Sequence, residues 1–534
     1  MSSLFSAQLH PGRALGFLVL GASLHDVLTR LKAEPQRFPK LDLMYNPADP
    51  VREPVVLGLP ANGIRMRFDG PEQRLRLIEV VDFARNHIFL KPANDKERDL
   101  VRPPTQDAPA ADAAAGPTFR HIYQRFLGPT YDGEYLADAE TYVLSYPGVA
   151  FSFPMRKQDY SDSKDLVSLL SSTAIPSSMA VFSGDSWAQA RETMWTEVLP
   201  GLKTFAPLAK GKDVYPDEVS LIKIHGGGKL QLFRKWTNSS FWIQLGETTP
   251  QQLVAELGPP DAIYRKNDQR MYIHKLRTTS STTARPANGH ELRRQDELTD
   301  TDQSSHPASD EYDSQDDEAV EDDDEDDADM MANVSGECFY NYFYHGFDVL
   351  VSTPTAPSRP PPPPPAGQDG GASPADPATP KAAATDRLVA TKMVLHGNVP
   401  GSYPFNRHRR CRWEISYLSP PPSPDSPDSP DSPATTSETP FPEIEERLRG
   451  AWRSLYSSEA EARQKQRGMV LNRGWGDSPG SSCELLGGWE ESGGTNAGVG
   501  RGRGEDSTTT TLYGFPGLVF EVLKNGWVSA VTVF

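Results

Sequence analysis

One short pattern occurs four times in this chain: a glycine is followed by apolar residues at alternate positions. The four stretches are ANGIRMRFD (61–69), YPGVAFSFP (146–154), YHGFDVLVS (344–352) and FPGLVFEVL (515–523). Alternation with a period of two is typical of a strand that has one buried and one solvated face. A glycine at the start of such a strand suits an unusual backbone φ angle or a close approach of another backbone segment. The pattern therefore predicts several copies of one antiparallel strand unit.

Two of the four strands follow a helix that starts in a similar way. Residues 17–31 (FLVLGASLHDVLTRL) and 241–257 (FWIQLGETTPQQLVAEL) each contain an apolar strand, a glycine and then an amphipathic helix. Ser23 and Thr249 stand at the predicted N-caps, and Pro250 suits the first helical position. We therefore predict an α+β fold built from repeated modules, each with a capped helix and an antiparallel β-meander.

The remaining copies are less complete. Residues 126–154 are predicted to be a truncated third copy, and 515–534 the end of a fourth, with a hairpin turn at Asn525-Gly526. Stretches rich in Pro, Gly, Ser or acidic residues lack the apolar periodicity of a folded segment and are predicted to be long disordered inserts.

The predicted domain order follows from these boundaries. A first module is predicted at 14–97, and a second partial module together with the start of a third at 117–276. A disordered acidic insert follows at 277–335, and the rest of the third module lies at 336–417 with a Pro-rich insert at 353–385. A disordered Ser-Pro tract at 418–440 leads to a C-terminal module at 441–534, which has a Gly/Ser-rich insert at 484–509.

The net charge of −18 is mostly local. Residues 310–329 contain fourteen acidic residues and no Lys or Arg. Because like charges repel, a solvated insert is the expected state of this tract, and a docking tract for basic partners is the alternative. The rest of the chain has no basic face of the kind that nucleic-acid binding needs.

The three cysteines, Cys338, Cys411 and Cys483, lie far apart and form no C-x-x-C pair. This usage favours a reducing compartment over a secreted disulfide scaffold. The longest early apolar run, 14–20, is too short to cross a membrane and lacks the features of a signal peptide. We therefore expect a cytoplasmic protein.

One pair of motifs is similar to those of hydrolases. HGGG at 225–228 matches an oxyanion loop, and GDSPG at 476–480 matches a nucleophile elbow. The α/β-hydrolase order needs a histidine after the serine, however, and no histidine follows His408. The glycines at 226–228 are instead predicted to form a hairpin turn.

Metal and cofactor motifs are equally scarce in the sequence. His408 and Cys411 are the closest His/Cys pair, and no second pair completes a set of four zinc ligands. We therefore predict no catalytic, cofactor-binding or metal-binding residues, and no enzyme activity.

A turn is predicted at Asn398–Gly401, between a strand that ends at Leu395 and a new strand that begins near Phe405. Its mixture of aromatic and polar side chains is typical of protein interfaces. The alternative is that Tyr403 and Phe405 cap the core of their own module. The candidate partner-binding residues are Asn398, Pro400, Gly401, Tyr403, Phe405 and Asn406.

A basic stretch, RHRRCRW at 407–413, follows directly. Its arginines could contact phosphoinositide headgroups or an acidic protein surface. The alternative is one strand with exposed arginines and with Cys411 and Trp413 facing inward. The candidate membrane or acidic-surface contacts are Arg407, Arg409, Arg410 and Arg412.

The tract SPDSPDSPDSP repeats a serine before proline. A kinase can reach such serines in a segment that has no reason to fold, and each phosphate adds about −1.5 to −2 charges. The candidate phosphorylation sites are Ser423, Ser426, Ser429 and Ser432.

Several stretches, in this order, resemble the phagosome (phagophore) assembly factor family. They are LRLIEVVDF (75–83), GVAFSFP (148–154), LGPPDAIYRKNDQRMYIHK (257–275), CFYNYFYHGFDVLVS (338–352), HGNVPGSYPFNRHRRC (396–411) and VFEVLKNGWVSAVTV (519–533). The resemblance covers nearly all the regions predicted to be ordered and skips the inserts.

The resemblance implies a non-enzymatic autophagy factor that binds a WD40-propeller protein and associates with the forming autophagosome. It also implies a cytoplasmic protein that moves to the phagophore assembly site on induction, and a link of some members to the trans-Golgi. We therefore expect an adaptor that reaches phosphoinositide-marked membrane directly or through its partner. The alternatives are a trans-Golgi or vesicle trafficking factor, and an enzyme that binds a lipid or small molecule in a cleft between modules.

Overall fold

The computed structural model of the chain describes residues 5–92, 96–101, 116–130, 133–161, 164–196, 199, 217–237, 239–265, 337–354, 387–418, 434–472 and 509–534. The predicted acidic insert at 277–335 lies outside these ranges, as do nearly all of the predicted inserts at 353–385 and 484–509. The fold is mixed α+β and mostly antiparallel β.

The first half of the described chain, residues 5–196, contains a five-stranded and an eight-stranded sheet. Its elements are β1 Phe5–His10, β2 Ala14–Leu15, β3 Leu18–Val19, α1 Leu24–Lys32, β4 Asp42–Met44, β5 Val55–Leu59, β6 Ile64–Phe68, β7 Leu75–Val80, β8 Asn86–Leu90, β9 Arg98–Asp99, α2 Phe119–His121, β10 Glu134–Leu136, β11 Thr141–Tyr146, β12 Val149–Pro154, α3 Leu166–Leu169, β13 Ser178–Phe182 and α4 Trp187–Thr193. The strand orders are β3-β2-β1-β8-β9 and β10-β11-β12-β13-β7-β6-β5-β4.

The second half, residues 217–534, contains a four-stranded and an eight-stranded sheet. Its elements are β14 Val219–Gly226, β15 Lys229–Arg234, β16 Ser240–Gln244, α5 Pro250–Leu257, β17 Ala262–Arg265, β18 Cys338–Tyr342, β19 Phe347–Ser352, β20 Val389–His396, β21 Trp413–Ile415, α6 Phe441–Ala451, α7 Glu459–Lys465, β22 Met469–Asn472, β23 Thr509–Phe515, β24 Leu518–Leu523 and β25 Val528–Val533. The strand orders are β16-β15-β14-β21 and β17-β18-β19-β20-β25-β24-β23-β22.

The order of elements in the second half follows that of the first. β1 pairs with β8 in parallel, and β14 pairs with β21 in the same way. In both halves a helix, α1 or α5, leads into a four-stranded meander. Each eight-stranded sheet joins two meanders edge to edge, through β7 with β13 in the first half and through β20 with β25 in the second.

The predicted helix starts are confirmed. The Ser23 hydroxyl accepts a hydrogen bond from the Asp26 backbone N–H, and Thr249 forms a reciprocal capping box with Gln252. The side chains of Leu24, Val27, Leu28 and Leu31 are buried on one face of α1. Burial of this face, more than helix propensity, holds so short a helix in place.

Each glycine-led strand is the third strand of its meander, paired on both sides. The leading glycines have positive φ angles of 61° at Gly63, 76° at Gly148, 84° at Gly346 and 76° at Gly517. A Cβ atom on Gly148 would lie 1.9 Å from the backbone nitrogen of Gly12. Both predicted reasons for glycine, an unusual φ and a close backbone approach, are therefore confirmed.

Three boundaries differ from the sequence predictions. The first module begins with β1, before the predicted start at residue 14, and the alternate side chains of β1 are buried in the first core. The copy predicted to be truncated has a full meander, β10–β13. The end of the predicted Ser-Pro tract packs against β21, where Ile415 N–H donates to the Thr435 carbonyl and Ser437 N–H to the Trp413 carbonyl, both at 2.9 Å. The sequence did not predict these contacts, because they are backbone hydrogen bonds of short polar residues that carry no apolar pattern.

Two large apolar cores fill the molecule, one in each half. The first is formed by residues 5–181 together with Phe405, and the second by residues 222–533. None of the helices in the described ranges has the length and apolarity that a membrane crossing requires. Among the described residues, Phe405 is the one buried residue of the second half in the first core, and it lies where the halves meet.

Candidate functional site

Residues 396–412, called here the crossing segment, connect β20 to β21 and lie against the first half. Asn398, Gly401 and Asn406 have φ angles of 44°, 82° and 64°. A strand cannot hold such angles, so the strand predicted to begin near Phe405 does not form, and the next strand starts at Trp413. All six predicted partner-binding residues lie in this segment.

A reciprocal amide pair fastens the segment to the first half. Gln73 Nε2 donates to the Asn398 carbonyl, and Asn398 Nδ2 donates to Gln73 Oε1, each at 2.8 Å. Asn398 Oδ1 also accepts from the Asn406 backbone N–H at 2.7 Å. All three residues are buried. The side-chain amides of Gln73 and Asn398 are therefore hydrogen-bonded within the buried contact between the halves.

Two further contacts fit the segment closely to the first half. Phe405 is 5% exposed and packs in the first core, so it caps the core of the opposite half and not that of its own module. A Cβ atom on Gly401 would lie 2.2 Å from the Tyr45 hydroxyl oxygen. Only glycine fits at this contact.

The structure places most of the six predicted partner-binding residues inside the molecule. Asn398, Pro400, Phe405 and Asn406 are buried, and of the six candidates only Gly401 is exposed and Tyr403 partly exposed. Buried residues that hold two halves together cannot also meet a partner in this conformation. The aromatic-polar mixture reflects an interface within the chain.

Arg409 lies at the centre of a buried charge cluster. Its guanidinium binds both oxygens of Asp26, donates to Glu218 Oε1 at 3.1 Å and lies 3.6 Å from the centre of the Tyr344 ring. Glu218 also accepts from Arg74 at 2.6 Å. Each carboxylate in this cluster is matched by a guanidinium of fixed geometry.

The neighbouring arginines make related contacts. Arg410 donates to the carbonyls of Pro71 at 2.8 Å and Gly397 at 2.6 Å. Arg412 donates to Glu438 at 3.0 Å and Glu72 at 3.3 Å. The Arg410 side chain is only 1% exposed, whereas that of Arg412 is 33% exposed.

These contacts shift the protonation equilibria of the cluster. Burial alone would raise the pKa values of Asp26 and Glu218, but the nearby arginines outweigh it. The pKa of Glu218 falls to about 2, mainly through Arg74 and Arg409, and the pKa of Asp26 falls through Arg409. Both carboxylates therefore stay ionised at neutral pH, as a buried ion-pair cluster requires.

The four arginines predicted to contact a membrane or an acidic surface differ in their exposure. The side chains of Arg409 and Arg410 are enclosed by their protein partners, so neither can reach a lipid headgroup. Arg407 and Arg412 remain partly exposed. Cys411 and Trp413 face inward as the alternative predicted, but the side chains of Arg409 and Arg410 are buried because they contact the first half.

A second polar cluster lies at the start of the crossing segment and was missed by sequence reasoning. Asp348 Oδ2 lies 2.8 Å from His396 Nε2, and Asp348 Oδ1 lies 2.9 Å from His408 Nε2. The two imidazole rings stack 3.8 Å apart at 14°. Burial lowers the pKa of His408 to about 3 and so keeps its ring neutral. A signal was present, since both histidines belong to the motif HGNVPGSYPFNRHRRC (396–411).

The other predicted sites are simpler to place. The glycines at 226–228 form the turn between β14 and β15, as predicted. The serines Ser423, Ser426, Ser429 and Ser432 lie outside the described residues, and so does the GDSPG motif.

The fold defines a mixed α+β, mostly β protein with two similarly ordered halves that are joined through buried polar contacts. The family model of phagosome assembly factor 1 matches residues 14–289 and 384–534. The chain belongs to this family, whose name describes a role in phagosome assembly.

Two of the curated relatives match nearly the full chain, and a third matches about a quarter of it. A PHAF1 protein of Arabidopsis thaliana is 22% identical over 98% of this chain and 92% of its own length, and one of Drosophila melanogaster is 21% identical over 97% and 90%. A PHAF1 protein of Caenorhabditis elegans is 28% identical over 26% of this chain and 28% of its own. No solved structure gives a significant match.

Proposed function

We propose that this chain is a non-enzymatic adaptor in autophagosome formation, acting through a WD40-propeller partner at the phagophore assembly site. The observation that carries the proposal is the family match, which covers both halves of the fold. The geometry agrees with a scaffold, because the charge cluster around Arg409 consists of ion pairs between the halves.

The surface around Trp242 is the best candidate for the partner. Trp242 is 55% exposed on β16, the edge strand of the four-stranded sheet in the described chain. It borders an open groove of about 500 Å³, together with Gln244 and Arg387. Exposed tryptophans often dominate the binding energy of interfaces, and an edge strand can pair with an added strand.

Affinity purification of the tagged full chain from starved cells tests the proposal. A WD40-propeller protein should co-purify with the wild-type chain and with Trp195→Ala, which removes another exposed tryptophan. Trp242→Ala should lose it. The proposal fails if no propeller protein co-purifies from starved or fed cells, or if Trp242→Ala retains it.

Membrane association should depend on the partner, because Arg409 and Arg410 are buried. Phosphatidylcholine vesicles with and without a phosphoinositide provide the test. The purified chain alone should not float with either vesicle, and the partner should confer flotation on phosphoinositide vesicles. Strong flotation of the chain alone would show a direct contact instead.

A further inference from the structure

We propose that Asp348, His396 and His408 form a binding site for a divalent transition-metal ion, with Zn²⁺ as the ion that fits best. The donor atoms are the two Nε2 atoms and one carboxylate oxygen, all within 4.8 Å of one another. Two imidazoles and one carboxylate are the three protein ligands of many zinc sites, whereas Mg²⁺ and Ca²⁺ prefer all-oxygen sites.

The charge balance supports a cation at this position. Asp348 is buried, and within the described residues its ion-pair partners are the two histidines and no Arg or Lys. The buried carboxylates of the neighbouring cluster, such as Glu218, are matched by arginines. A bound metal ion would compensate the charge of Asp348 in the same way.

The surroundings hold the donors in place. Asn341 Nδ2 donates to Asp348 Oδ1 at 2.9 Å, and the Phe343 ring packs edge-on against His408 with centroids 4.8 Å apart. A hydrogen bond to a ligating carboxylate is a usual second layer of a metal site. Asp348 and His396 lie on the neighbouring strands β19 and β20, which fixes their spacing.

Binding requires only a small adjustment. The present oxygen–nitrogen separations are hydrogen-bond lengths, and tetrahedral Zn²⁺ with bonds of about 2.0–2.1 Å needs donor atoms about 3.3 Å apart. The ligands must therefore separate by about 0.5 Å. His396, whose side chain is 16% exposed, can move outward and leave the fourth position to water.

Metal analysis of the full-length protein tests the site. After chelator treatment and dialysis, the chain should take up about one Zn²⁺, and Co²⁺ should give the visible absorption of a tetrahedral site. His396→Ala should abolish both signals. Asn341→Ala should weaken Zn²⁺ binding about 10- to 100-fold, as expected for the loss of a second-layer contact.

His87→Ala is the matched control, because His87, Glu97 and Asp99 form a second group of potential ligands in the described chain. It should leave the uptake unchanged. Circular dichroism establishes whether each variant is folded. If His396→Ala is not folded, the Zn²⁺ affinity of Asn341→Ala and the Co²⁺ spectrum of the wild type test the proposal. Absence of uptake by the wild type, full uptake by a folded His396→Ala, or unchanged affinity in Asn341→Ala would overturn the proposal.

Discussion

Gln73 and Asn398 lie 325 positions apart in the chain, and the side-chain amide of Gln73 forms two hydrogen bonds of 2.8 Å, one with the backbone carbonyl and one with the side-chain amide of Asn398, in the buried contact between the halves. Both residues have positive φ angles, 52° and 44°. Asparagine tolerates this conformation better than most residues with a Cβ atom. The pair therefore joins two strained turns with mutually satisfied amides.

Gln73→Ala should destabilise the protein by about 1–3 kcal/mol, because it leaves the buried amide of Asn398 without its side-chain acceptor. Urea unfolding monitored by tryptophan fluorescence measures the change. Gln251→Ala, on the exposed face of α5, is the control and should change the free energy of unfolding by less than about 0.5 kcal/mol. Equal effects of the two variants would contradict a structural role for the pair.

Arg409→Met should cost about 3–5 kcal/mol, since it leaves the buried carboxylate of Glu218 and the partly buried carboxylate of Asp26 without their shared cation. Arg463→Met is the control. Its ion pair with Glu459 is solvent-exposed, with Arg463 at 71%, so the effect should stay below about 1 kcal/mol. A stable Arg409→Met variant would show that the cluster does not hold the halves together.

The pH dependence of stability should reflect Glu218. Its pKa is about 2 in the folded protein and 4.5 as an ordinary glutamate, so its contribution is complete above pH 4.5 and declines as the pH falls toward 2. The free-energy difference between wild type and Glu218→Gln should therefore shrink as the pH is lowered from 7 to 3. Denaturant unfolding across this range provides the measurement, and a difference that is constant with pH would refute the assignment. Glu459→Gln, which removes an exposed carboxylate, is the control variant.

Gly401→Ala should lower the melting temperature for two reasons, the φ angle of 82° and the contact with Tyr45. Gly246→Ala separates them, because Gly246 has a φ of 85° and open space where its Cβ would lie. Gly401→Ala should be the more destabilising variant by differential scanning fluorimetry, and Tyr45→Phe should partly restore it by removing the hydroxyl. If the two alanine variants melt alike, the contact with Tyr45 contributes nothing.

The local elements could be predicted from the sequence because their signals are local. The caps at Ser23 and Thr249 and the glycine-led strands follow from spacing within a few residues. Periodicity also placed the inner strands of the meanders.

The contact between the halves could not be predicted in this way. Whether Arg409 faces water or Asp26 depends on a partner 383 positions away, and no local pattern contains that information. The polar character of the crossing segment suggested a surface, but the Asn398 amide and the guanidinium groups of Arg409 and Arg410 are paired within the chain. For the same reason, the sequence did not predict that His396 lies next to Asp348, which is 48 positions away.

The central claim is that the crossing segment joins the halves and that the partner binds at Trp242. Binding of the purified propeller partner to three forms of the chain, below all their melting temperatures, tests it most directly. Trp242→Ala should weaken binding by about 30-fold or more, as for a hot-spot residue. Tyr403→Ala with Asn406→Ala should melt at a lower temperature than the wild type and bind with nearly unchanged affinity. A double variant that melts normally but no longer binds would contradict the account and return the partner surface to the crossing segment.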